Sequence, residues 1–104
     1  MSNISGGRLR WRDEHRAEAE FFVNNQLSRC DLYFNNGLPY FTGTMAKISY
    51  DDGDKITGKQ SFKGHFGETD LEASSDNFKI EAKLLTPFDQ VININGQALW
   101  TALD

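Results

Sequence analysis

Apolar and polar side chains alternate with period two along most of this chain, and clusters of Gly, Asn and Asp punctuate the alternation. Successive side chains of a strand point to opposite faces, so this pattern predicts half-buried β-strands. The clearest run is Phe78, Ile80, Ala82 and Leu84 alternating with Lys79, Glu81 and Lys83. Turn signals stand at Asn24-Asn25, Asn35-Asn36-Gly37, Asp51 to Asp54, Gly67, Ser74 to Asn77, Thr86-Pro87 and Asn95-Gly96. Short strands between closely spaced turns suggest a sandwich or small barrel.

Counting outward from the turns predicts hairpins. A three-residue loop with Gly53 left-handed sets Ile48 opposite Ile56, Ala46 opposite Gly58 and Thr42 opposite Phe62, with one face mostly apolar. Asn36-Gly37 predicts a type I′ hairpin with Leu32 opposite Phe41, and a bulge or bend at Gly43 that exchanges the faces of the shared strand. Ser74 to Asn77 places Ala73 opposite Phe78 and Leu71 opposite Ile80, while Asn95-Gly96 places Ile92 opposite Leu99.

The first thirty residues admit two patterns. A hairpin turning at Asp13-Glu14-His15 pairs Trp11 with Ala17, Leu9 with Ala19, Arg10 with Glu18 and Arg8 with Glu20. The competing pattern is a helix capped by Asp13 with the stripe Ala19, Phe22, Val23 and Leu27. Facing opposite charges contribute roughly 0.2–1 kcal/mol per pair. The helix propensity of Ala and Glu is worth only a few tenths per residue, which favours the hairpin.

The expected fold is therefore a single β-rich domain over residues 1–104, with residues 1–7 flexible. It is mainly β, an antiparallel meander of about seven to nine strands forming a small barrel or sandwich. The alternative is α+β, with one helix near residues 13–28 packed on a curved antiparallel sheet.

Composition narrows the function classes. The net charge of −4 repels phosphate backbones unless basic residues cluster, and the one local cluster is Arg8, Arg10, Arg12 and Arg16. Nucleic acid is not the expected partner on that ground. The longest apolar run is Phe21-Phe22-Val23, so no membrane span is expected. Cys30 is the sole cysteine, no apolar leader precedes the domain, and a cytoplasmic location follows as the expectation.

Candidate chemistry is sparse. Asp51, Asp52 and Asp54 lack the ligand spacing of a calcium loop and read as turn residues. His15, Cys30 and His65 do not form paired zinc spacing. Cys30 falls on the inward parity beside Leu32 and Phe34, where a thiol is a small hydrophobe. No metal, cofactor or catalytic set is expected, and the protein reads as a non-enzyme. Phe22 projects with Glu18 and Glu20, and an apolar ring on a charged face marks a covered or partner-binding surface.

The leading functional expectation is a small acidic binding protein of the inhibitor, immunity or phage-accessory kind. It would hold a basic protein partner through Asp51, Asp52, Asp54, Glu68, Asp70, Glu72 and Phe22. The alternative is a carbohydrate or small-ligand barrel using Trp11, Tyr33, Tyr40 and Trp100. An enzyme of unknown type ranks third. Pairing of exposed strand edges would make a homo-oligomer.

Overall fold

The computed structural model describes residues 3–103. Six strands form: β1 (Asn3–Asp13), β2 (Arg16–Val23), β3 (Gln26–Phe34), β4 (Thr44–Tyr50), β5 (Gly58–Ser74) and β6 (Phe78–Ala102). The only helical element among the described residues is a 3-10 turn at Gly53–Lys55. The order β3-β2-β1-β4-β6 closes into a five-stranded antiparallel barrel, because β6 bonds to β4 at one end and to β3 at the other. β5 lies along the remaining edge of β6. The mainly-β barrel is thus the fold, and the α+β alternative is overturned, since residues 16–23 are strand.

A ring of antiparallel neighbours with an odd number of members closes only if one member reverses its heading. β6 does this: it runs antiparallel to both β4 and β3, which are antiparallel to each other through β1 and β2. The reversal falls between Ala82, paired with β4, and Gly96, paired with β3, a stretch in which the β5–β6 ladder shifts register twice, between Phe66 and Glu68 and between Glu68 and Asp70. β5 folds back with it. Gly64 packs so tightly on the backbone of Glu72 that a Cβ there would lie 1.7 Å from its carbonyl oxygen. The His65 ring meets Asp70 at 3.1 Å across the same fold.

The first hairpin forms in the expected register, with Trp11↔Ala17, Arg10↔Glu18, Leu9↔Ala19 and Arg8↔Glu20. Asn24 and Asn25 take positive φ (52° and 63°) and join β2 to β3, a backbone that Asn tolerates better than most residues. Residues Asn3–Gly7, expected to be flexible, pair with Ala46–Tyr50 of β4. The interior is filled by inward side chains that include Leu9, Phe21, Leu32, Ile48, Phe66 and Ile80.

Three expected hairpins are corrected. β4 does not pair with β5; it lies between β1 and β6, and residues 51–57 pass Asn24 on the way to β5. Asn36-Gly37 does not reverse the chain into a partner strand. Residues 35–43 are irregular, bury Leu38 and Phe41, and tie back through the Leu38 N–H to Glu14 O at 2.7 Å. No strand contains Gly43, so it bends no shared ladder. β6 runs straight through Asn95-Gly96, where a Cβ on Gly96 would lie 1.7 Å from Tyr33 O. That glycine permits close backbone approach rather than a turn. The hairpin after Ser74 does form, but with Ala73↔Ile80 and Leu71↔Ala82, shifted by two residues from the expected register. A shift of two preserves the faces, so the same side chains remain inside.

Candidate functional site

Outward positions of five neighbouring strands make one continuous wall. Reading across β1-β2-β3-β6-β5, one row is Arg10, Glu18, Asp31, Leu99 and Lys59. Beside it run Arg8, Glu20, Arg29 and Thr101 on one side, and Arg16, Tyr33, Gln97 and Ser61 on the other. Arg12 and Lys63 extend the wall along β1 and β5. Four strand spacings make it about 19 Å wide. Asp13 stands opposite Arg16 at its margin, so the wall carries seven of the chain's 11 lysines and arginines but four of its 15 acids and holds +3 while the rest of the chain holds −7.

Glu18 and Asp31 face each other directly, an arrangement that repels unless cations intervene. Arg16 Nη2 bridges them, at 3.3 Å from Glu18 Oε2 and 2.8 Å from Asp31 Oδ1. Arg10 donates to Glu18 Oε1 at 2.7 Å, and Arg29 Nε stands 3.4 Å from Asp31 Oδ2. The Arg29 contact is an ion pair without hydrogen-bond geometry, since that Nε is buried with no acceptor aligned to it. The hydrogen bond from Arg10 holds the Glu18 carboxyl below its ordinary range, and the hydrogen bond to Asp31 raises Arg16. Both carboxylates are buried beneath the guanidinium layer. Each arginine has five N–H donors in a rigid fork, so one paired to a carboxylate still presents others outward. Arg8, Arg12, Lys59 and Lys63 make no ion pair among the described residues.

Tyr33, exposed, lines a cleft of about 420 Å³ on this wall with Lys59, Gln97 and Leu99. Beyond it a polar cleft of about 790 Å³ opens among Ser61, Lys63, Ser75, Asp76, Asn77 and Asn95. Gln60 Oε1 accepts from Asn77 Nδ2 at 3.0 Å and fixes that amide in place.

The acids singled out in the sequence do not converge. Asp51, Asp52 and Asp54 follow β4; Asp52 accepts from the Asp54 N–H at 3.0 Å and Asp54 from Asn24 Nδ2 at 3.2 Å. Asp70 borders the opposite end of β4 beside Met45 and Lys83, about 20 Å away along the strand. Glu68 stands opposite Phe88, and Glu72 meets Lys79 at 3.7 Å. Phe22 is exposed on the outer face of β2, opposite Leu27 at the edge of the basic wall. The four aromatics fall in three places. Trp11 and Tyr40 meet edge to face at 5.3 Å, near a cleft of about 220 Å³ bounded by Tyr40, Phe66 and Phe88. Trp100 is inside against Phe78, and Tyr33 belongs to the wall.

Cys30 is buried, which pushes its thiol far above its usual range. Among the described residues no group of three His, Cys, Asp or Glu side chains is placed to hold a metal ion, and no helix is long and apolar enough to cross a membrane. The sequence groups Arg8, Arg10, Arg12 and Arg16 but does not join Arg29, Lys59 and Lys63 to them. Their outward parity was legible, yet the β2–β3 pairing is needed to bring in Arg29, and the β3–β6 and β5–β6 pairings to bring in Lys59 and Lys63. Comparison with known proteins finds no match: no protein family, no curated protein and no solved structure is similar to this chain.

Proposed function

We propose that this protein is a non-enzymatic binding domain that holds an anionic partner against the outer wall of β1, β2, β3, β6 and β5. One observation carries the reading: seven of 11 cations gather on one wall of a chain whose net charge is −4. Four of the seven have no ion pair among the described residues. The other three rest on buried carboxylates, which restricts their motion and lowers the entropy lost when an anion binds. A basic partner at the acidic loops is the weaker reading, because those acids lie at opposite ends of β4.

The test is retention on a heparin matrix at low salt, compared with the double variant Arg8→Glu/Arg12→Glu and the distant control Glu68→Gln. Both arginines are exposed, so the variant should fold. Retention of the wild type and of Glu68→Gln, with loss in the double variant, is the expected result. Wild-type protein in the flow-through, or a double variant that elutes with it, overturns the proposal.

A further inference from the structure

We infer that the anionic partner is a single-stranded nucleic acid, with Tyr33 as the surface on which a base stacks; this rests on the binding reading above. Three features of the wall point to this ligand over other polyanions. First, the exposed Tyr33 ring sits between cations, with Arg16 directly across on β2 and Lys59 lining the same cleft. Alternating cations and an open aromatic face are the two parts a single-strand binder needs, one for the backbone and one for the bases. Second, amides and hydroxyls adjoin the ring. Gln97, opposite Tyr33, donates through Nε2 to Ser61 Oγ at 3.0 Å, which leaves its Oε1 available to a base edge. Asn77 and Asn95 line the polar cleft beyond. Third, the wall is the outside of a closed barrel, made of strands and without a helix or ribbon that would enter a duplex groove. A flexible strand can drape over such a convex surface, where a stiff duplex touches only a short stretch. An acidic protein would satisfy the cations and leave the ring and amides without a role.

The four unpaired cations set the salt dependence. Each phosphate contact to a single strand contributes about −0.7 to the slope of log affinity against log salt, so four give about −3. Affinity should fall about 20-fold between 100 and 300 mM salt. Fluorescence anisotropy of labelled dT12 and rU12, against a 12-base-pair duplex, heparin and polyglutamate as competitors, reads this directly. The variants are Tyr33→Leu, Tyr33→Phe, Arg8→Ala/Arg12→Ala and Glu68→Gln. We expect both oligonucleotides to bind more tightly than the duplex. Tyr33→Leu should weaken them about tenfold with the slope unchanged, while Tyr33→Phe keeps wild-type affinity. The double arginine variant should make the slope shallower by about 1.4. If heparin or polyglutamate binds and the oligonucleotides do not, or if Tyr33→Leu binds them as the wild type does, this inference falls and the anion-binding reading stands. If no polyanion binds, both fall.

Discussion

Carboxylates do different work on the basic wall and in the loop after β4. Glu18 and Asp31 are the only buried acids among the described residues, and each lies beneath guanidinium groups. Asp51, Asp52 and Asp54 are exposed, and the oxygens of Asp52 and Asp54 serve a backbone N–H and an Asn amide. The wall's acids therefore neutralise part of its charge but fix the arginines in place. The loop's acids add to the molecule's negative count and build a turn. Net charge sums the two regions and describes neither, which is why a chain at −4 can present a face at +3.

Breaking the wall's seam should have the largest effect. Gly96→Val places a Cβ into the Tyr33 carbonyl of β3, a backbone atom that cannot swing aside. We expect a loss of about 3 kcal/mol or more, or no folded protein, by urea denaturation; a wild-type midpoint would mean that β3 and β6 do not approach as described. Next is Asp31→Ala, which leaves Arg16 and Arg29 without their shared partner and should cost about 2 kcal/mol. The contrast with the loop is direct, since Asp54→Ser should change stability by about 0.5 kcal/mol or less in the same assay.

A pH series sharpens the comparison at about 1 kcal/mol. The folded-state pKa of Glu18 lies below its ordinary 4.5. Its stabilisation is therefore fully present above that value and is lost as pH falls through the folded pKa. The stability gap between wild type and Glu18→Gln should be widest near neutrality and close below 4.5. A gap that is constant with pH would show that the carboxylate charge plays no part.

The first hairpin was legible because it is local and redundant. Two apolar pairs and two opposite-charge pairs all require one register around Asp13 to His15. The central hairpin was equally self-consistent on paper and did not form. Ile48, Ala46 and Phe62 are buried as their parity demanded, but β4 found its partners in β1 and β6. Alternation reports which face a side chain takes and is silent about which strand lies alongside. Gly96 misled for a related reason: Asn-Gly is a strong turn signal, and the same glycine serves close packing when another backbone crosses it. The β1 arginines and Glu18 were in view from the start, whereas the opposition of Glu18 to Asp31 needed the Asn24-Asn25 reversal counted in register.

By itself the chain's order of residues determined strand character, the inward and outward parity of most positions, and the one charged hairpin whose partners are adjacent in sequence. Those properties follow from near-neighbour sterics and from water's exclusion from one face. Barrel closure, the reversal within β6, and the joining of Arg10, Asp31, Tyr33 and Lys59 into one surface were decided by tertiary structure. They depend on which distant strands share hydrogen bonds, and period-two patterning is identical for every partner of the right parity.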